Sequence, residues 1–192
     1  MWQNLLLNKL QKNYHSGYFS IKVVNSSDID NRIYKLFYDK YLNIRLIEKM
    51  DVWEKLYYKA KDLYHPQYIS PFIYCNHVVS ALESENGNIY TGFCIRSCSG
   101  VGNLCAERVA AINMLNHSGQ TKIKRIITFR NQPPANDLSV PCGACREFLM
   151  QLSIDNANTE ILLDYKTQKI TLLGELIPQW WGYEKINENN KR

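Results

Sequence analysis

The chain has 192 residues, 45% hydrophobic and 21% charged, which suits one domain with an extension, or two small ones, and a core that needs no disulfide staples. No run nears the ~18 apolar residues of a membrane span. The three-residue run Leu5 to Leu7 is too short for a secretory signal core, so a cytoplasmic location without a membrane partner is expected. Net charge is +5, with residues 1 to 66 holding 11 Lys/Arg against 7 Asp/Glu (+4) and the remainder 12 against 11 (+1). That excess is too dilute for the dense basic stripe of a nucleic-acid binder, so a polynucleotide partner is not expected.

Residues 1 to 66 read as a mainly helical extension. The stretch GYFSIKVV is a strand candidate. Ser26 and Ser27 can cap a helix carrying Ile33, Leu36, Phe37 and Tyr41, and Val52, Leu56, Tyr57 and Ala60 repeat the three-and-four spacing of one buried helix face. Pro66 and Pro71 then break helical structure. Residues 67 to 187 have a different texture, and residues 188 to 192 read as a tail. A strand through Val78, Val79, Ala81 and Leu82 meets the turn signal Glu85-Asn86-Gly87-Asn88 and returns as a strand from Ile89 to Ile95. A Gly-containing loop leads to Cys105 and a helix running to about Asn116, stopped near Gly119. Ile123 to Phe129 reads as a strand, RNQPPANDLSVP as a loop, Gly143 to Leu152 as a helix, Glu160 to Asp164 as a strand and Leu172 to Leu176 as a last helix. A hairpin followed by alternating helices and strands implies an α/β fold, a mixed sheet with helices on both faces.

Chemistry-bearing residues gather at two helix starts. Helix N-termini present unpaired N–H groups that favour thiolates. Cys105 lies at one start, with Glu107 two residues on, and Pro141-Cys142-Gly143-Ala144-Cys145 forms the other. In a reducing compartment such thiols stay free or bind metal. Three cysteines form an open site for Zn²⁺, whose fourth position water would fill. Zinc lowers the pKa of such a water toward about 7, and Glu107 would take its proton. Three thiolates leave one zinc with net negative charge, so Arg108 and Arg146, each directly after a site residue, are candidates to donate hydrogen bonds to sulfur.

The segments LCAERVAAI and VPCGACREFL, with NGNIYTG before them and GELIPQWWG after, resemble the cytidine deaminase superfamily from about residue 72 to 184. The resemblance implies a three-layer helix–sheet–helix sandwich on a mixed five-stranded sheet, Zn²⁺ on Cys105, Cys142 and Cys145, Glu107 as proton shuttle, and backbone contact from Ala106 to the substrate ring. It further implies a homo-oligomer, a tetramer or dimer. The implied reaction is water attack on the amine-bearing carbon of a small cytosine-like substrate, with release of ammonia. Cysteine as first ligand points to the branch acting on free nucleosides.

The substrate pocket departs from that pattern. The nucleoside enzymes carry Asn-x-Glu eleven and nine residues before the first zinc cysteine, where this chain has Cys94 and Arg96, and their base-stacking Phe falls near Asn76. SCSGVGNLCAE and PQWWGYE are similar to blasticidin-S deaminases, and Trp181 falls where the nucleoside family places its C-terminal Phe. Arg96 suits a substrate carboxylate or phosphate, and Arg96 and Trp181 are the candidates for substrate selection. His77 lies near the pocket entrance but reads more simply as a satisfied strand histidine. A rival reading has Cys94 and Cys98, with Cys105 or the Cys142–Cys145 clip, completing a closed four-cysteine structural zinc, which would make the protein a non-catalytic module.

Overall fold

The computed structural model describes residues 50–130 and 140–189, with side chains to residue 185. The expected helix about Ile33 to Tyr41, the strand candidate GYFSIKVV and most of the loop RNQPPANDLSVP lie outside these residues. Helix α1 (Val52–Lys61) precedes strands β1 (Gln67–Ser70), β2 (Ile73–Ser84) and β3 (Ile89–Ser97). Helix α2 (Ala106–Ser118), strand β4 (Ile123–Arg130) and helix α3 (Gly143–Leu152) follow, then β5 (Glu160–Asp164), β6 (Lys169–Leu172) and helix α4 (Gly182–Asn189).

Strand β2 is the spine. It pairs antiparallel with β3 along one edge, and its other edge is shared end to end by β1 and β4. The sheet continues through a parallel β4–β5 pair and an antiparallel β5–β6 pair. This is the mixed sheet expected, with six strands among the described residues rather than five. The two four-residue strands, β1 and β6, are largely exposed and lack apolar alternation, so no period of two marks them. The helix expected over Leu172 to Leu176 is a correction. Those residues form the end of β6 and a single 3₁₀ turn, Leu173–Leu176, and the last α-helix begins at Gly182. Four residues close no more than one turn, too little for an α-helix.

Each face of the sheet is covered. On one, Ala110, Ala111 and Met114 of α2 and Leu149 and Met150 of α3 pack against Leu82, Ile126 and Ile161. On the other, Trp53, Leu56, Tyr57 and Ala60 of α1 pack against Val79, Ile127, Phe129 and Leu162. The third layer of the sandwich is therefore supplied by residues 52–61, within the stretch read from the sequence as an extension.

Three local features set where the functional helices begin. Gly119 caps α2 in the left-handed region, at φ 67°, which a residue without Cβ adopts freely. Asn156 accepts from the Ile123 N–H and donates to the Leu149 and Thr121 carbonyls, tying the end of α3 to the start of β4. Gly92 of β3 lies directly beneath the first turns of α2, where a Cβ would stand 2.3 Å from the Ala110 nitrogen and 2.4 Å from the Ala106 oxygen. Backbone of both elements blocks that site, so no side-chain rotation relieves the clash. Gly92→Ala is expected to lower stability by about 3 kcal/mol, the upper end for overpacking, whereas Gly100→Ala, with open space around it, should change it by less than about 0.5 kcal/mol. Urea denaturation midpoints of the two variants check this.

Candidate metal centre

Cys105 is the N-cap residue of α2 and Cys142 the N-cap residue of α3, with Cys145 in the first turn of α3. The sheet holds the two helix starts together. Leu104 pairs with Ile95 of β3 through both backbone hydrogen bonds, at 2.8 and 2.9 Å, fixing the chain one residue before Cys105. Arg146 fixes the other start, its Nε donating to the Pro141 carbonyl at 2.7 Å and a terminal nitrogen to the Leu176 carbonyl at 2.8 Å.

The three sulfurs meet at one point. Cys105 Sγ lies 3.7 Å from Cys142 Sγ, which lies 3.5 Å from Cys145 Sγ, and all three fall within 4.8 Å of one another. None is in a disulfide. Zn–S bonds of about 2.3 Å in a tetrahedron place sulfurs roughly 3.8 Å apart, so the spacing fits zinc. Glu107, one residue into α2 from Ala106, is 4% exposed.

The electrostatics of these groups call for a cation. Burial pushes the Cys145 thiol well above its usual range, and the Glu107 charge and the neighbouring thiols add to that. Burial and the hydrogen bond with Cys142 raise Cys105. Burial also raises Cys142, but the backbone N–H of Cys145 and the neighbouring thiols outweigh it and leave this thiol lowered. Glu107 is raised by burial. Three thiols and a carboxylate crowded together cannot all ionise on their own, and a divalent metal that displaces the thiol protons resolves the conflict.

Arg108 and Arg146 part company here. A terminal nitrogen of Arg108 lies 4.0 Å from Cys105 Sγ and 3.3 Å from the Asn103 carbonyl, while its Nε is buried without a hydrogen-bond partner. It brings positive charge to the sulfurs. Arg146, expected from the sequence to serve sulfur as well, directs its donors to two carbonyls and so positions the Cys142 turn.

The fourth cysteine of a closed site is not assembled. The group of metal-capable side chains contains Cys105, Cys142 and Cys145 and neither Cys94 nor Cys98. Cys94 is buried in β3, where it accepts from the Val78 N–H at 3.2 Å and meets His77 Nδ1 at 3.2 Å. Cys98 is exposed.

Ala106 is fully buried, its carbonyl over Gly92. Arg96 is exposed on β3, opposite Tyr74 of β2. Trp181 is 53% exposed, and its indole N–H donates to Glu147 of α3 at 2.9 Å; the buried Trp180 donates to the other oxygen of the same carboxylate at 2.9 Å. The anchoring role of Glu147 was not read from the sequence, where it is one charged residue on a helix. Equally unread was the bulge at Asn76, which sits at φ 61° with its amide donating to the Leu63 carbonyl and turns His77 toward Cys94. Asn is among the few residues that tolerate that backbone region, the one clue the sequence held. A shallow cavity at the opposite end of the sheet is lined by Glu85, Lys122, Arg125 and Asp155. Lys122 there pairs with Asp155 and Glu85, and Arg125 with Glu83 and Glu160.

No family model matches the chain. The cytidine deaminase of Mycoplasma pneumoniae is 27% identical over 100 residues, which cover 52% of this chain and 73% of that one. Among solved structures, the cytidine deaminase of Mycobacterium tuberculosis is similar with a TM-score of 0.54 and 22% identity, over 69% of this chain and 99% of that one. The enzyme from Burkholderia pseudomallei gives 0.53 and 23%, over 69% and 100%. Among the described residues no helix is long and apolar enough to cross a membrane. This sandwich, with three sulfurs at two helix starts and a buried carboxylate beside them, has the fold of the solved cytidine deaminases, and the chain is similar in sequence to one of them over half its length.

Proposed function

We propose that this protein is a zinc-dependent hydrolytic deaminase that converts the amine of a cytosine nucleoside, or of another small cytosine compound, to a carbonyl. The observation that carries this reading is the convergence of Cys105, Cys142 and Cys145 with the buried carboxylate of Glu107. When bound, zinc supplies a Lewis acid that brings water toward hydroxide at neutral pH. Everything else falls to the chain. The three thiolates hold the metal, and Arg108 offsets their charge. Burial raises the Glu107 carboxyl above its usual range, which favours its holding a proton once taken. Glu107 takes that proton from water and delivers protons to the ring nitrogen and the departing amine. A C–O bond forms at the amine-bearing carbon, the C–N bond breaks, one water is consumed and ammonia leaves. The Ala106 backbone, at the first position of α2, is placed to meet the ring, and Trp181 is the candidate at the C-terminal rim.

Residues 67–187, with α1 packed on their sheet, make up the zinc domain in this reading, and a cytoplasmic homo-oligomer, dimer or tetramer, is its expected form. A blasticidin-S-type deamination is the second reading within the same chemistry. It is favoured by Cys94 and Arg96 standing where ribose-gripping residues would, with the Cys94 thiol already committed to His77 and Val78. Ammonia release from cytidine, deoxycytidine, cytosine, CMP and blasticidin S separates these substrates.

Glu107→Gln is expected to keep one zinc per chain and lose turnover by about a thousandfold or more, since proton transfer and the positioning of water both depend on the carboxylate. Ammonia release persisting in that variant contradicts the mechanism. Metal analysis gives a second check. Cys142→Ser should lose zinc, whereas Cys98→Ser, which touches no ligand, should retain it in full.

A further inference from the structure

The wall of β2 and β3 beyond the start of α2 carries a feature that the hydrolytic chemistry does not use. Positions 92, 94 and 96 of β3 alternate onto one face of the sheet, the face on which α2 packs over Gly92. Cys94 and Arg96 therefore continue that face past the first turn of α2. The Ile95–Leu104 pair carries the chain back alongside, so that Cys105 runs next to Cys94 and Asn103 next to Arg96. Tyr74, paired directly with Arg96 across β2, shares the face and stacks on His77 with ring centroids 4.7 Å apart and an interplanar angle of 18°. Tyr68 lies against Tyr74 with ring centroids 4.8 Å apart and planes tilted by 41°.

The hydrogen-bonding capacity of this wall is uneven. The Cys94 sulfur accepts from the Val78 N–H and shares a hydrogen bond with the His77 ring. Burial holds this thiol in its protonated form and keeps the imidazole neutral, with the Arg96 charge adding to the effect on His77. A ligand hydroxyl arriving at Cys94 would find no free donor or acceptor. Arg96 is the opposite case. It is exposed, carries five N–H donors and no acceptor, and has no carboxylate partner among the described residues. Arg108 places a second guanidinium on the other side of Asn103. An exposed guanidinium on the wall beside the start of α2, with Arg108 already near the Cys105 sulfur, is complementary to a substrate anion.

We infer that Arg96 is a specificity residue that binds an anionic substituent, a phosphate or a carboxylate, on the part of the substrate remote from the cytosine-like ring. This rests on the proposed deaminase reading for the ring chemistry but not for the anion site. The test has two arms. In the first, ammonia release is measured with cytidine, cytidine 5′-monophosphate and cytidine 5′-carboxylic acid. The zinc-loaded protein should prefer an anionic nucleoside to cytidine by at least about tenfold in kcat/KM, the range of one charge-assisted contact. Whether the phosphate or the carboxylate leads identifies the anion. Arg96→Gln should erase the preference, Arg96→Lys should restore part of it, and the preference should shrink as salt rises. In the second arm, the zinc-loaded Glu107→Gln protein is titrated calorimetrically with the same three compounds, with and without Arg96→Gln. If no cytosine compound releases ammonia, the deaminase reading falls and this arm alone decides the anion site. Equal use and equal binding of neutral and anionic nucleosides, or a preference untouched by Arg96→Gln at unchanged zinc content, overturns the inference.

Discussion

The site depends on two helix N-termini being held within bonding reach of one point, and on what that costs electrostatically. Helices α2 and α3 share one face of the sheet, and each begins at a cysteine. Gly92 lets α2 settle onto β3 with no side chain between them, and the Leu104–Ile95 pair anchors the strand-like residue before Cys105. Arg146 and Asn156 hold α3 from its two ends. With both helices so placed, the thiols and the buried carboxylate share a region that does not favour all their charges at once. Metal binding is the state in which that crowding becomes favourable. Burial, for its part, raises the Glu107 carboxyl above its usual range, the direction that the proposed chemistry asks of it.

Much of this was legible in the amino-acid order because the relevant signals are local. The turn residues at 85 to 88 mark the β2–β3 hairpin, Gly119 marks the end of α2, and the boundaries of α3 and β5 fall at the positions read from pattern alone. The CAE and PCGAC runs single out the three cysteines by spacing, because a cysteine at a helix start has its direction set by the helix. Three-dimensional arrangement was less legible. Strands β1 and β6 are exposed and gain their definition from their neighbours. Arg146 looked like a sulfur donor from its adjacency to Cys145. Its side chain instead crosses to the Leu176 carbonyl, thirty residues away in sequence.

The wall of β2 and β3 illustrates the same limit from the other side. Cys94 and Arg96 were recognisable as departures from a nucleoside-binding pattern, but the sequence does not reveal that the Cys94 thiol is already occupied. That follows from the bulge at Asn76, which brings His77 round to the sulfur. The result is a wall with one saturated position and one open guanidinium, a stronger constraint on the ligand than either substitution read alone. The closed four-cysteine alternative fails for a related reason. Cys94 is buried and engaged within the sheet, and Cys98 lies outside the sulfur cluster.

Zinc K-edge X-ray absorption on the purified protein, with its metal content determined in parallel, tests the central claim most directly. The account predicts one zinc per chain with three sulfur neighbours at about 2.3 Å and a single oxygen or nitrogen neighbour at about 2.0 Å. A shell of four sulfurs, or protein isolated without zinc that takes up none, would contradict it.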